Sequence, residues 1–124
     1  MRRTATALAI ALVALVSAIG LAATSAGAAP GTAAVTTKVT VTATEFKFKL
    51  SKTKVAKGTV VFTLVNRGKL PHDFKIAGKK TPLVKPKKTA KVTVVFKKPG
   101  KYHYLCTVPG HAAAGMKGVL TVTK

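Results

Sequence analysis

The segment TVVFTLVNRGKLPHDFKI, residues 59–76, sets the architecture. Val60, Phe62 and Leu64 fall on one parity, so in an extended chain they face one side, and Asn66-Arg67-Gly68 supplies the turn that ends the run. Beyond the turn Phe74 and Ile76 resume a period of two, with His72 in phase with them. Val, Thr and Phe at this period form a half-buried strand, and no convincing run of helical period occurs beyond residue 35.

Outward from this segment the pattern repeats. Phe46, Phe48 and Leu50 share a phase, as do Val92, Val94 and Phe96, then Tyr102 and Tyr104 with Cys106 in line, then Leu120 and Val122 with Met116 in line. This assignment places all seven aromatics on the inward faces. Strands are expected at 35–43, 45–50, 59–66, 71–76, 90–97, 101–106 and 117–123, with further turns at Ala56-Lys57-Gly58, Ala77-Gly78 and Lys98-Pro99-Gly100. KKTPLVKPKKT, residues 79–89, has two prolines and five lysines and reads as loop or edge strand. Val61, Val65, Val95, Leu105 and Val119 lie on the opposite parity, so several strands are apolar on both faces. The expected fold is an all-β sandwich of about seven to eight strands filling one domain, residues 35–124.

The 124 residues suffice for one small core and a leader. Residues 1–28 have the form of that leader: Arg2 and Arg3, an apolar run from Ala5 to Ala23, then Ala26-Gly27-Ala28 as a small-residue cleavage site. A cleaved signal peptide implies an exported protein, periplasmic, extracellular or attached to the cell envelope, with no transmembrane helix in the mature chain. An uncleaved anchor is the competing reading, and the A-x-A site favours cleavage. Residues 29–34 form a small, polar lead-in.

The formal charge is +20, and removing Arg2 and Arg3 with the leader leaves +18 against Glu45 and Asp73 alone. Export and the lack of a nucleic-acid motif argue against nucleic acid as the partner. Lysines spread through strands and turns make a solvated face, suited to acidic partners or an anionic envelope surface.

The single cysteine cannot form an internal disulfide. It belongs to CTVPGHAAAGM, residues 106–116, with the spacing Cys-x4-His-x4-Met. A thiolate, an imidazole and a thioether in one Pro/Gly-containing loop form a soft donor set that suits copper better than hard cations. A site of two histidines, one cysteine and a weak axial methionine needs one more imidazole, and LPHDF at 70–74 offers His72.

With the donors His72, Cys106, His111 and Met116, residues 35–124 resemble the cupredoxins, the blue copper proteins of plastocyanin, auracyanin and azurin type. The resemblance implies a Greek-key β-sandwich binding one copper ion that cycles between Cu(I) and Cu(II), with Met116 axial. It implies a mononuclear type 1 one-electron carrier rather than an enzyme; periplasmic or extracellular copper delivery by the same donors is the alternative. In the family the loop histidine brings its ring edge to the surface within an apolar patch, here Val108, Pro109, Gly110 and Ala112–Ala114, with Leu70 and Pro71 beside it. Gly110, Gly115 and Gly118 are expected to let the loop fold around the ion. Asp73 stands where the family usually has Asn or another small polar residue, placed to bond the Thr107 region and tie the ligand loops together. His103 has the opposite parity to Cys106 and is expected at the surface. Leu105 replaces the tyrosine of plant plastocyanins.

Overall fold

The computed structural model describes residues 35–124; the leader at 1–28 and the lead-in at 29–34 lie outside the described residues. Among the described residues nine strands run β1 (Thr36–Thr44), β2 (Lys47–Leu50), β3 (Lys54–Ala56), β4 (Gly58–Asn66), β5 (Lys75–Ile76), β6 (Lys79–Lys80), β7 (Thr89–Phe96), β8 (Gly100–Leu105) and β9 (Lys117–Thr123). A single helical turn, α1 (His111–Ala114), separates β8 from β9. One sheet has the order β2-β1-β4-β7 and the other β3-β9-β8-β5-β6. The β1/β4 and β3/β9 pairs are parallel and the remaining pairs antiparallel. This is the expected all-β sandwich, with β6 an edge strand inside the 79–89 stretch read as loop or edge strand, and with a three-residue strand, β3, that single-strand patterning does not resolve.

The parity of β4 survives intact: Val60, Phe62, Leu64 and Asn66 are buried while Val61, Thr63 and Val65 are half-covered. Val39 and Val41 from β1, Val94 and Phe96 from β7, and Leu120 and Val122 from β9 complete the layer between the sheets. Phe74 lies at the centre, fully buried, with ring centroids 5.2 Å from Phe62, 5.4 Å from Tyr104 and 5.5 Å from Phe48. The opposite parity faces outward, for Val95 is 58% exposed and Val119 39%.

Three expectations change. The strand expected over 71–76 shrinks to β5. Pro71 has no N–H to give, and the Phe74 N–H donates to Thr81 Oγ1 (3.1 Å) instead of a ladder partner. His72 is held by an isolated antiparallel bridge to Val84 rather than by a continuous strand. Phe46 is not inward: it sits in the two-residue turn between β1 and β2, where strand parity no longer applies, and is 40% exposed. The stretch expected as an irregular loop contains α1, because three consecutive alanines are the best helix formers available.

Phe74→Ala should destabilise the metal-free protein by about 3–5 kcal/mol, the usual cost of emptying a buried aromatic site. Urea unfolding of wild type and variant measures this, and a change under about 1 kcal/mol would show that the centre of the sandwich lies elsewhere.

Candidate metal centre

The His72 side comes first in the chain. Its N–H donates to Val84 O (3.0 Å) and its carbonyl accepts from Val84 N–H (2.8 Å), which fixes the backbone between β4 and β5, outside any strand. Asn66, fully buried at the end of β4, reinforces this. Its Nδ2 donates to Leu70 O (2.8 Å) and Val84 O (2.9 Å), and its Oδ1 accepts from Gly68 N–H (2.8 Å). A residue read from sequence only as a turn former therefore ties the 66–70 loop to the segment that grips His72.

The other side is a closed loop. Cys106 directly follows β8, and its N–H donates to Met116 O (3.0 Å), joining the loop's two ends. Between them α1 is flanked by Gly110 at φ +83° and Gly115 at φ +128°, conformations that a side chain would strain. The turn brings Met116 N–H to His111 O (3.1 Å), so the x4 spacing of His and Met becomes one helical turn plus a glycine. Gly118 acts differently from expectation. A Cβ there would lie 2.2 Å from the Tyr104 hydroxyl, so its role is to admit that ring.

The two sides place three donor atoms at one point. His72 Nδ1 and His111 Nδ1 are 3.1 Å apart, Cys106 Sγ is 3.6 Å from His111 Nδ1, and all three lie within 4.8 Å of one another. His72 and Met116 are fully buried, Cys106 is 1% exposed and His111 8%. With Met116 closing the loop, the four residues are arranged as a type 1 copper site. Burial pushes the Cys106 thiol up, the backbone amides of Asp73 and Val108 pull it down, and the Asp73 charge raises it again. A bound cation would outweigh these effects and favour the thiolate.

Both carboxylates of the chain stand beside these donors. Asp73, 4% exposed, accepts from Thr107 N–H (2.6 Å) and from the Thr107 hydroxyl. This is the expected tie between the ligand loops. Glu45, which pattern reading passed over, accepts on Oε1 from Lys69 N–H and Leu70 N–H, both at 2.7 Å, and from His72 Nε2 at 3.2 Å. The Leu70 amide is the largest influence holding the Glu45 carboxyl down at about 2, with the Lys69 amide and His72 adding to it against a desolvation cost. The signal that could have singled out Glu45 is scarcity: it is one of two acids among 22 basic residues.

Next to Glu45, Phe46 packs edge-on against His111 with centroids 5.2 Å apart. The expected exposed imidazole edge is thus largely covered, and the exposed ring at this end is Phe46. His103 is exposed, as its parity predicts, and Leu105 is half-buried.

Comparison with known proteins fits this geometry. The chain is 49% identical over 43 residues to auracyanin-B of Chloroflexus aurantiacus, a segment covering 35% of this chain and 18% of that protein, so the match spans under a fifth of the relative's length. The structure of auracyanin A, a "blue" copper protein from the same organism, superposes with a TM-score of 0.61 at 21% identity, covering 72% of this chain and all of that one. Dithionite-reduced auracyanin from Roseiflexus castenholzii gives 0.61 at 23%, covering 73% and 99%. The family description "cupredoxin-like domain" matches residues 9–122, nearly the whole sequence, and the chain belongs to that family.

Proposed function

We propose that this protein is an exported, mononuclear type 1 copper protein that carries single electrons between redox partners. His72, Cys106 and His111 would be its strong ligands and Met116 a weak fourth. The observation that carries the proposal is the convergence of two Nδ1 atoms and one sulfur within 4.8 Å in a buried site. Copper held there would supply one-electron exchange between Cu(I) and Cu(II). The chain's part is to keep the donors still. Cross-bonds from Cys106 to Met116 and from Asp73 to Thr107 brace the loops, so little rearrangement accompanies a change in charge. The copper of auracyanin A and the reducible state of the Roseiflexus auracyanin are the chemistry this reading carries over.

Burial also bears on the alternative of copper delivery. A protein that hands over its metal needs donors a receiver can reach, whereas here His72, Cys106 and Met116 are each at most 1% exposed. Retention suits an electron carrier. Export rests on the pattern of residues 1–28; among the described residues no helix is long and apolar enough to cross a membrane.

The docking face in this proposal centres on Phe46, 40% exposed and in contact with His111, and Leu70, 42% exposed on the His72 loop. Exposed Arg67, Lys69 and Lys117 lie close in sequence to the ligand residues. A small apolar centre with a basic rim fits an acidic redox protein that must bind briefly.

Purified protein should take up one Cu(II) with intense visible thiolate-to-copper charge transfer. Cys106→Ser should lose the colour, while Met116→Leu should keep copper and colour with a raised potential, because the apolar replacement disfavours the more charged Cu(II). Copper uptake without the visible band, or equal copper loss from Met116→Leu and His72→Ala, would refute the assignment of ligands.

Electron transfer to an acidic partner should slow steeply with added salt, since the Debye length falls from about 8 Å at physiological ionic strength to about 3 Å at 1 M. Ala113→Glu, on the exposed face of α1, should slow it further with an unchanged spectrum. Rates indifferent to both would leave the charge serving solubility or envelope attachment instead.

A further inference from the structure

The turn between β1 and β2 reaches the site without contributing a donor atom. A carboxylate oxygen can only accept a hydrogen bond, so the 3.2 Å contact between Glu45 Oε1 and His72 Nε2 places a proton on Nε2. A neutral ring with its proton there has a bare lone pair on Nδ1, the atom 3.1 Å from His111 Nδ1 and nearest the convergence point. The carboxylate is itself seated: the Lys69 and Leu70 amides hold the same oxygen at 2.7 Å. Gly68 makes room for it. A Cβ at that position would lie 2.4 Å from Glu45 Oε1 and 2.8 Å from Oε2. Gly68 does not have the positive φ that would by itself demand glycine, so the seat of the carboxylate is what keeps a side chain out.

We infer that Glu45 is a positioning residue that fixes the tautomer and ring orientation of His72, and that Gly68 is glycine in order to seat it. The inference rests on His72 being a ligand through Nδ1. It assigns to the β1–β2 turn and the 67–70 loop a shared task, the presentation of one lone pair to the metal. With His72 Nδ1 bare, the proton shared across the 3.1 Å contact in the metal-free protein belongs to His111. A metal held through both Nδ1 atoms would require the His111 proton on Nε2 instead, whereas His72 already carries its own there.

The test begins without copper, so that failure of the copper assignment and failure of this inference can be told apart. Nitrogen–proton correlation NMR of the metal-free protein at about pH 8, where imidazoles are ordinarily neutral, should show His72 as the Nε2–H tautomer in wild type and in Glu45→Gln, whose amide oxygen still accepts. Glu45→Ala and Gly68→Ala should each lose that bias. In the metal-loaded protein the same two variants should bind copper roughly 10–100-fold more weakly, and Glu45→Gln should retain affinity but raise the potential, because a negative charge that favours Cu(II) has gone. Gly68→Ala should add little in a Glu45→Ala background, since the clash has been removed. A His72 tautomer unchanged in Glu45→Ala would overturn the inference even with the copper site intact. Full additivity of the two substitutions would overturn the role given to Gly68.

Discussion

Two imidazole nitrogens 3.1 Å apart and a thiol sulfur 3.6 Å from one of them, all on buried side chains, form the constraint on which the rest of this structure depends. Lone pairs at such range repel unless a proton or a cation lies between them, so the chain must hold them together by forces applied elsewhere. It does so by cross-bonding backbone to backbone. Val84 grips His72, Met116 grips Cys106, and the helical turn joins His111 to Met116. Each grip lies at the end of the sandwich, where β8 and the His72 segment leave their sheet and ladder hydrogen bonds are no longer committed. The aromatic cluster around Phe74 supplies the rigid floor, two residues after His72 and in contact with Tyr104, two residues before Cys106.

Charge is distributed to match. A chain with 22 basic residues spends its two acids on this end of the molecule, one bonded to Thr107 beside the cysteine and one to His72. Neither neutralises a lysine. Both accept hydrogen bonds from backbone amides of loops that must not move, and charge-assisted bonds of this kind are roughly twice as strong as neutral ones. Their negative charge also favours the more positive state of any bound metal, so stiffness and potential are set by the same two side chains. Among the described residues, no buried side-chain nitrogen or oxygen is left without a partner. The polar groups here are thus bonded within the protein and do not depend on solvent.

The sequence by itself determined the sheet class and most strand positions and pointed to the four candidate donors, because period-two burial, a Cys-x4-His-x4-Met loop and the LPHDF segment are local properties of the chain. Parity also put His103 at the surface, and the family resemblance raised the bond between Asp73 and the Thr107 region that the structure shows. Tertiary structure alone decided the rest. The extent of strand beyond His72 depended on Thr81 competing for the Phe74 amide, seven residues away. The strand β3 exists through parallel pairing with β9, some 67 residues on, and three residues carry no period of their own. Phe46 looked inward by parity and lies outward over His111, since a tight turn breaks the alternation that parity assumes. Gly68 read only as a turn glycine and Glu45 only as one of two acids, and nothing local linked either to His72. Their significance comes from a contact between two loops 23 residues apart in sequence, and only the packing of β1 beside β4 brings a carboxylate, a missing Cβ and an imidazole nitrogen together.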